Sequence, residues 1–169
     1  MPSSERDRPA NDEEAAAAVA AWMRLADETL RSAATADRHG RETGRKGGSR
    51  ATALVVEDDN GTREAVVSAL RDAGISSVGV PDGTEALAAC QRRDPDLVVL
   101  DLALPGLDGG RFADAYRRIP GSSARIIVIS ATDRGSETAA RIRADAFLSK
   151  PFQLDALVAI AERLLGEAA

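Results

Sequence analysis

Short apolar runs alternate with longer amphipathic segments in the part of the chain that follows residue 50. The apolar runs are bounded by polar or glycine-containing turns and predict five strands, at 53–56, 77–80, 97–100, 126–129 and 146–148. Segments in which apolar residues recur every three or four positions predict five helices, at 59–73, 82–92, 108–118, 133–143 and 153–165. Strands that alternate with helices pair in parallel and are covered on both faces. The pattern therefore predicts an α/β fold with a doubly wound, five-stranded parallel sheet.

The first fifty residues have a different pattern. Residues 1–10 are polar with two prolines and are expected to be disordered, whereas 37–50 contain four glycines and no large apolar side chain, as is typical of a flexible linker. Between them, residues 11–36 predict one amphipathic helix that Asn11 or Asp12 can cap. Its apolar residues are spaced three and four apart: Val19, Trp22, Met23, Ala26, Leu30 and Ala33. Two interpretations stay open for this helix. It either packs on the molecule or stays weakly ordered, or it binds a partner or a second copy of the chain through Trp22 and Met23.

Composition narrows the classes of function. The formal net charge of −5 argues against nucleic acid as the main partner. The nine basic and nine acidic groups of residues 1–50 cancel, so the excess of negative charge lies in residues 51–169. The single cysteine, Cys90, excludes an internal disulfide and is expected to be a small buried hydrophobe. His39, the only histidine, lies in the glycine-rich linker and is expected to be solvated. Because no apolar signal segment and no membrane-length apolar run is present, we expect a soluble, cytoplasmic protein.

Polar side chains stand where four of the predicted strands end. Glu57 and Asp58 follow the first strand, Asp101 the third, Ser130 the fourth and Lys150 the fifth. Taken singly, such residues are commonly helix caps, turn residues or solvated lysines. In a doubly wound sheet, however, the carboxyl ends of the strands share one edge, so three carboxylates would repel one another there unless a cation neutralised them. A site of this kind suits Mg²⁺, with Lys150 and Ser130 as donors to phosphoryl oxygens, and favours phosphoryl chemistry on an aspartate.

Four sequence motifs give the chain a family resemblance over residues 51–169. They are LVVEDD at 54–59, LVVLDLALPGLDG at 97–109, IIVISA at 126–131 and FLSKPF at 147–152. In their order and separations they resemble the receiver domains of two-component response regulators. The resemblance implies a flavodoxin-like sheet of order 2-1-3-4-5, preceded here by the N-terminal helix, and a signalling phosphoacceptor rather than an enzyme with a separate substrate.

The resemblance also implies roles for the residues at the strand ends. Asp101 is expected to be the phosphoacceptor and a ligand of Mg²⁺, with Asp58 a direct ligand and Glu57 acting through water. The backbone carbonyl of Ala103 is expected to supply a further oxygen to the ion. Lys150 is expected to pair with the phosphoryl group and to precede a cis bond to Pro151. Ser130 and Phe147 are expected to switch on phosphorylation and to change the face formed by the fourth helix, fifth strand and fifth helix.

The implied partners are a sensor histidine kinase or a histidine phosphotransfer protein, and a downstream protein that reads the phosphorylated state. A homodimer is possible through the switched face or the N-terminal helix, and neither nucleic acid nor membrane is expected as a partner. The last predicted helix ends within a few residues of Ala169, so no DNA-binding output domain is expected.

Two departures and two alternatives accompany this interpretation. The segment from Ser130 to Phe147 is about two residues shorter than in common members, which predicts a short or irregular fourth helix. Ala103 cannot position a hydrolytic water, which predicts slow self-dephosphorylation. A phosphatase of the haloacid-dehalogenase type is disfavoured, because it needs a second acid at the position of Ala103. An interaction module that has kept the fold but does not accept phosphate stays open.

Overall fold

The computed structural model describes residues 51–167, together with Ala20 and Arg24, which are both helical. The remainder of the helix predicted at 11–36, the disordered segment predicted at 1–10 and the linker predicted at 37–50 lie outside the described residues.

A single parallel sheet organises residues 51–167. Its strands are β1 (Thr52–Val56), β2 (Ser76–Val80), β3 (Leu97–Asp101), β4 (Arg125–Ser130) and β5 (Ala146–Ser149). They are ordered β2-β1-β3-β4-β5, and every neighbouring pair is parallel. This confirms the predicted fold class and strand order, and each observed strand extends its apolar run by no more than one residue at either end.

Five helices connect and follow the strands. They are α1 (Asn60–Asp72), α2 (Gly83–Arg92), α3 (Gly109–Tyr116), α4 (Gly135–Arg141) and α5 (Leu154–Glu167). Asp59, Asp82 and Asp108 precede the first three, and each accepts hydrogen bonds from backbone amides of the first turn. Such caps satisfy amides that have no partner within the helix.

The core consists of two apolar layers, one on each face of the sheet. Successive residues of β1 alternate between them: Leu54 and Val56 pack with α2 and α3, whereas Ala53 and Val55 pack with α1 and α5. Because both faces are covered, β1 and β3 are buried along their whole length. The central strands therefore form a rigid base for the residues that follow them.

Two predicted helices are too long, and the predictions of 108–118 and 133–143 are corrected here. In the first case the helix gives way to a tighter turn after Tyr116, where the amides of Arg118 and Ile119 donate to the carbonyls three residues earlier. In the second case the helix is the short one of seven residues, Gly135–Arg141, and Asp133 does not cap it. Arg143 adopts a left-handed conformation with φ 53° and ends that helix. Within the described part of the chain, no helix is long and apolar enough to cross a membrane.

Candidate functional site

Three acidic side chains meet at the carboxyl edge of the sheet. Glu57 and Asp58 directly follow β1, and Asp101 is the last residue of β3. Carboxylate oxygens of the three residues lie within 4.8 Å of one another. Glu57 and Asp101 are buried, whereas Asp58 is exposed, so the cluster opens to solvent on one side only. The fold therefore brings together the three acids that the sequence analysis expected at this edge of the sheet.

Lys150 reaches this cluster from the end of β5. Its Nζ donates to Glu57 Oε2 at 2.6 Å and to Asp101 Oδ2 at 2.8 Å, and its side chain is 21% exposed. Burial alone would lower the pKa of Lys150, but its hydrogen bonds to Asp101 and Glu57 outweigh burial and raise the pKa above its usual value. The peptide bond between Lys150 and Pro151 is cis, as the resemblance implied. Lys150 is therefore a fixed, charged partner of two of the three acids.

Glu57 is the most constrained of the acids. Burial raises the pKa of its carboxyl group above the usual value, the hydrogen bond from Lys150 opposes that shift, and the nearby charge of Asp101 adds to it. Its Oε1 accepts the amide of Asp59 at 3.2 Å, while Oε2 accepts Lys150. Both oxygens of Glu57 thus have protein partners, as do those of Asp101, whose Oδ1 accepts the Ala103 amide and whose Oδ2 accepts Lys150. The exposed Asp58 is therefore the acid most open to a ligand.

Ser130 and Phe147 lie on the other side of Asp101. The Ser130 hydroxyl is fully buried, lies 2.9 Å from the hydroxyl of Thr132 and accepts the amide of Thr132 at 3.1 Å. Phe147 is half-buried and packs against Gly135, where an added Cβ would lie 2.8 Å from the ring and 3.1 Å from Ser130 Cβ. The two predicted switch residues therefore meet at the first residue of α4.

Ala103 follows Asp101 by two residues and is exposed. Its amide donates to Asp101 Oδ1 at 3.0 Å, which fixes the orientation of the Asp101 carboxylate. Its side chain is a methyl group and offers no hydrogen bond to a water molecule. A groove of about 700 Å³ lies beside the site, lined by Thr62, Val66, Lys150 and Phe152 among others.

One residue of this region was missed by the sequence interpretation. Arg63, in the first turn of α1, is only 7% exposed and donates to the backbone carbonyls of Glu57 and Asp58. Its position in the sequence could have indicated a special role, because the helix dipole disfavours a cation in the first turn of a helix.

The fold and the site together match one family. A model of the response regulator receiver domain matches residues 53–162, so the chain belongs to the receiver-domain family of response regulators, which are signalling proteins. Over 114 residues the chain is 40% identical to the response regulator MprA of Mycobacterium sp. (strain KMS), a match that covers 66% of this chain and 49% of the relative.

Solved structures give the same result. The receiver domain of the Francisella response regulator 1452 is 25% identical with a TM-score of 0.65, over 70% of this chain and 99% of that one. The receiver domain of the sensor histidine kinase PA1611 from Pseudomonas aeruginosa PAO1 is 27% identical with a TM-score of 0.64, over 69% of this chain and 98% of that one. That structure has a magnesium ion coordinated in its active-site cleft.

The chain spans about half the length of the curated relatives that it matches. The expectation that no DNA-binding output domain follows the receiver domain therefore stays a prediction.

Proposed function

We propose that this chain accepts a phosphoryl group on Asp101 from a sensor histidine kinase or a histidine phosphotransfer protein, and signals through phosphorylation-dependent protein contacts. The observation that supports this most directly is the meeting of Asp101 with two further carboxylates and with the ammonium group of Lys150, 2.8 Å from Asp101 Oδ2. We place this activity in the cytoplasm, where response regulators generally act.

Mg²⁺ is the proposed cofactor, and the donor set fits it. Three carboxylates within 4.8 Å repel one another, which favours a hard divalent cation with oxygen ligands. Asp58 and Asp101 would bind the ion directly, and the backbone carbonyl of Ala103 would add an oxygen. Glu57, which is fully buried, would act through water, as the family resemblance implies. When bound, Mg²⁺ supplies positive charge that offsets the charge on the phosphoryl oxygens.

The proposed transfer uses Asp101 as the nucleophile. A carboxylate oxygen of Asp101 forms the new bond to phosphorus while the bond from phosphorus to the donor's imidazole nitrogen breaks. The electron pair stays on that nitrogen, and the imidazole takes up a proton. Lys150 stabilises the phosphoryl oxygens, so that catalysis consists of positioning and electrostatic stabilisation. The chain would catalyse only its own phosphorylation and dephosphorylation.

Ser130 and Phe147 are the proposed switch. The acyl phosphate on Asp101 would draw the Ser130 hydroxyl away from Thr132, and Phe147 would rotate into the space that Ser130 leaves. The face formed by α4, β5 and α5 would then change shape, because Gly135 at the start of α4 lies against both residues. A downstream protein, or a second copy of the chain, would read that change.

Intact mass tests the proposal. The chain is incubated with acetyl phosphate and Mg²⁺, beside an Asp101→Asn variant and beside the parent in excess chelator. We expect one phosphoryl group on the parent with Mg²⁺ and none in either control. Equal addition to Asp101→Asn would assign the phosphate to another residue. No addition to the parent from acetyl phosphate or from a panel of phosphorylated histidine phosphotransfer proteins would favour an interaction module that uses the fold without phosphate.

The lifetime of the aspartyl phosphate depends in this proposal on Ala103. Because its methyl group cannot orient a water molecule, hydrolysis is expected to be slow, and Ala103→Asn should accelerate it. Loss of the phosphoryl group is followed by intact mass after removal of the donor. A half-life in the parent no longer than that of Ala103→Asn would refute this part of the proposal.

Association is proposed through the face of α4, β5 and α5 or through the N-terminal segment. Sedimentation velocity on the full chain and on a chain that lacks residues 1–36, each with and without acetyl phosphate, separates the two. Loss of a dimer on deletion would assign it to the segment that contains Trp22 and Met23. A dimer that needs phosphate and survives deletion would assign it to the folded domain.

A further inference from the structure

Arg63 is a buried cation at an unusual place. Its Nη1 donates to the Glu57 carbonyl at 2.8 Å and to the Asp58 carbonyl at 3.2 Å, and its Nη2 donates to Asn60 Oδ1 at 2.7 Å. The Asn60 amide is oriented in turn, because its Nδ2 donates to Glu64 Oε1 at 3.1 Å. A single side chain thus joins the first turn of α1 to the two backbone units that carry the paired acids.

This placement is unfavourable unless it serves those contacts. Burial removes most of the water from a permanently charged group, and the positive end of α1 repels it further. The sheet also makes room for the side chain with Gly79, in the interior of β2, where an added Cβ would lie 2.6 Å from Arg63 Cγ and 2.8 Å from Cδ. Glycine weakens a strand interior. Two residues that are each unfavourable for stability, Arg63 and Gly79, are therefore in contact with each other.

The contacts act on the backbone that aims the acids. β1 ends at Val56, and beyond it the Glu57 amide still donates to the Val80 carbonyl at 3.1 Å. The following carbonyls, of Glu57 and Asp58, accept from the Arg63 guanidinium. When the planes of these peptide units are fixed, the directions in which both side chains leave the backbone are fixed as well.

We propose that Arg63 is a positioning residue that holds the Glu57–Asp58 backbone so that both carboxylates face Asp101, and that it thereby sets the affinity of this site for Mg²⁺. The second half of this inference rests on the proposed function, whereas the first half does not. Loss of a residue that orients metal ligands through hydrogen bonds typically lowers the metal affinity 10- to 100-fold. Removal of Arg63 is therefore expected to weaken Mg²⁺ binding by about tenfold or more.

The experiment compares variants by Mg²⁺ titration calorimetry and by amide hydrogen exchange in the absence of Mg²⁺. Arg63→Met keeps the apolar length of the side chain and removes the donors. Arg71→Met is the matched control, because exposed Arg71 also joins α1 to a backbone carbonyl, that of Ser77 at 2.7 Å, but in the last turn of the helix. Gly79→Ala displaces the Arg63 side chain from the opposite side without changing its charge.

Arg63→Met and Gly79→Ala should both weaken Mg²⁺ binding and accelerate exchange at the amides of Glu57 and Asp59 at least tenfold relative to Val55. Arg71→Met should do neither, and Arg63→Lys should recover part of the affinity. Unchanged exchange at Glu57 and Asp59 in Arg63→Met would overturn the positioning role. Accelerated exchange with unchanged Mg²⁺ affinity would overturn the link to the metal. A parent that binds no Mg²⁺ would refute the proposed cofactor, and with it that link, while exchange would still decide the positioning role.

Discussion

The surroundings of a single side chain decide its chemistry in this protein, and Cys90 is a clear case. It lies in α2, is 3% exposed, and packs in the layer that contains Leu54 and Phe112. Burial, with a smaller contribution from the charge of Asp94, raises the pKa of its thiol to about 12. At pH 8 the thiolate fraction is then roughly one in ten thousand.

We therefore predict that Cys90 in the folded protein does not react measurably with a disulfide reagent at pH 8, and reacts fully in urea. The thiolate is the reactive form, and burial limits access to it as well. The control is Gln91→Cys in a Cys90→Ala background, which places a thiol one residue further on α2 at an exposed position. Equal labelling rates for the parent and this control, each in the folded state, would contradict the prediction.

The sequence predicted the candidate site well where strand ends decide position. Glu57, Asp58, Asp101 and Lys150 each follow or end an apolar run, so the parallel sheet alone brings them to one edge. Arg63 could not be found in this way. Its position depends on a side chain that turns back along its own helix and on space left by Gly79 in a neighbouring strand. Neither the direction of a side chain nor the space beside it in a neighbouring strand can be derived from the pattern of apolar and polar residues.

At the scale of elements, α4 shows what such a pattern leaves out. The helical spacing continues to 143, but the helix ends at Arg141 because Arg143 adopts φ 53°. The amides of Arg143 and Ala144 then donate to the carbonyls of Ala140 and Ala139, which closes the helix end in a Schellman arrangement. Glycine usually occupies the left-handed position in this motif, so the arginine gave no warning of a helix end.

Arg143→Gly should therefore stabilise the protein. A left-handed conformation costs a residue with a Cβ about 1 kcal/mol relative to glycine, so we expect a rise in the free energy of unfolding of up to about 1 kcal/mol. The backbone carbonyl of Arg143, which accepts Arg117 Nη2 at 2.7 Å, is kept in the variant. Urea denaturation measures the change. The control Ala140→Gly, at an exposed helical position, should lower stability by about 1 kcal/mol. A loss of stability in both variants would show that φ at position 143 is not the cause.

The first residue of α4 predicts a second effect. Because a Cβ at Gly135 would lie 2.8 Å from the Phe147 ring, Gly135→Ala should overpack this contact and lower the free energy of unfolding by about 1–3 kcal/mol. Most of that cost should disappear in a Phe147→Ala background, where the ring is absent. A double-mutant cycle by urea denaturation measures the coupling. Additive costs would mean that the methyl group meets Ser130 or the backbone rather than the ring.

At the scale of the whole molecule, alternation of strands and helices was sufficient to predict the parallel sheet. The long apolar runs lie in buried strands: β1 and β3 are buried throughout, and β4 is buried from Ile126 onward. The strand order came from the family resemblance, because alternation alone permits other orders. Cross-strand contacts that fix one order, such as the pairing of Leu54 with Val98 and Val78, involve interchangeable aliphatic residues. For residues 1–50 the assignments rest on pattern alone and stay predictions, because all of this segment except Ala20 and Arg24 lies outside the described residues.

The fold also concentrates negative charge, and this has a consequence for the stability of the entire domain. Residues 51–169 hold the whole net charge of −5, and three of their carboxylates share one edge of the sheet. Folding brings these groups together and must overcome their repulsion, which Lys150 offsets only in part. A ligand that binds the folded state alone stabilises it by mass action, by about 2.7 kcal/mol at 100 times its Kd. Mg²⁺ should therefore stabilise the folded domain.

We predict two opposite effects of Asp58→Asn. Without Mg²⁺ the variant should be more stable than the parent, because an exposed carboxylate that has no ion-pair partner among the described residues is removed from a repulsive cluster. With Mg²⁺ it should gain little, whereas the parent should gain in proportion to the logarithm of the Mg²⁺ concentration. Urea denaturation at several MgCl₂ concentrations, against NaCl of equal ionic strength, measures both effects. Glu162→Gln, which removes an exposed carboxylate from α5, is the control and should keep the parent's response to Mg²⁺. If MgCl₂ stabilised the parent no more than NaCl, screening alone would account for the effect and the acidic cluster would not be a metal site.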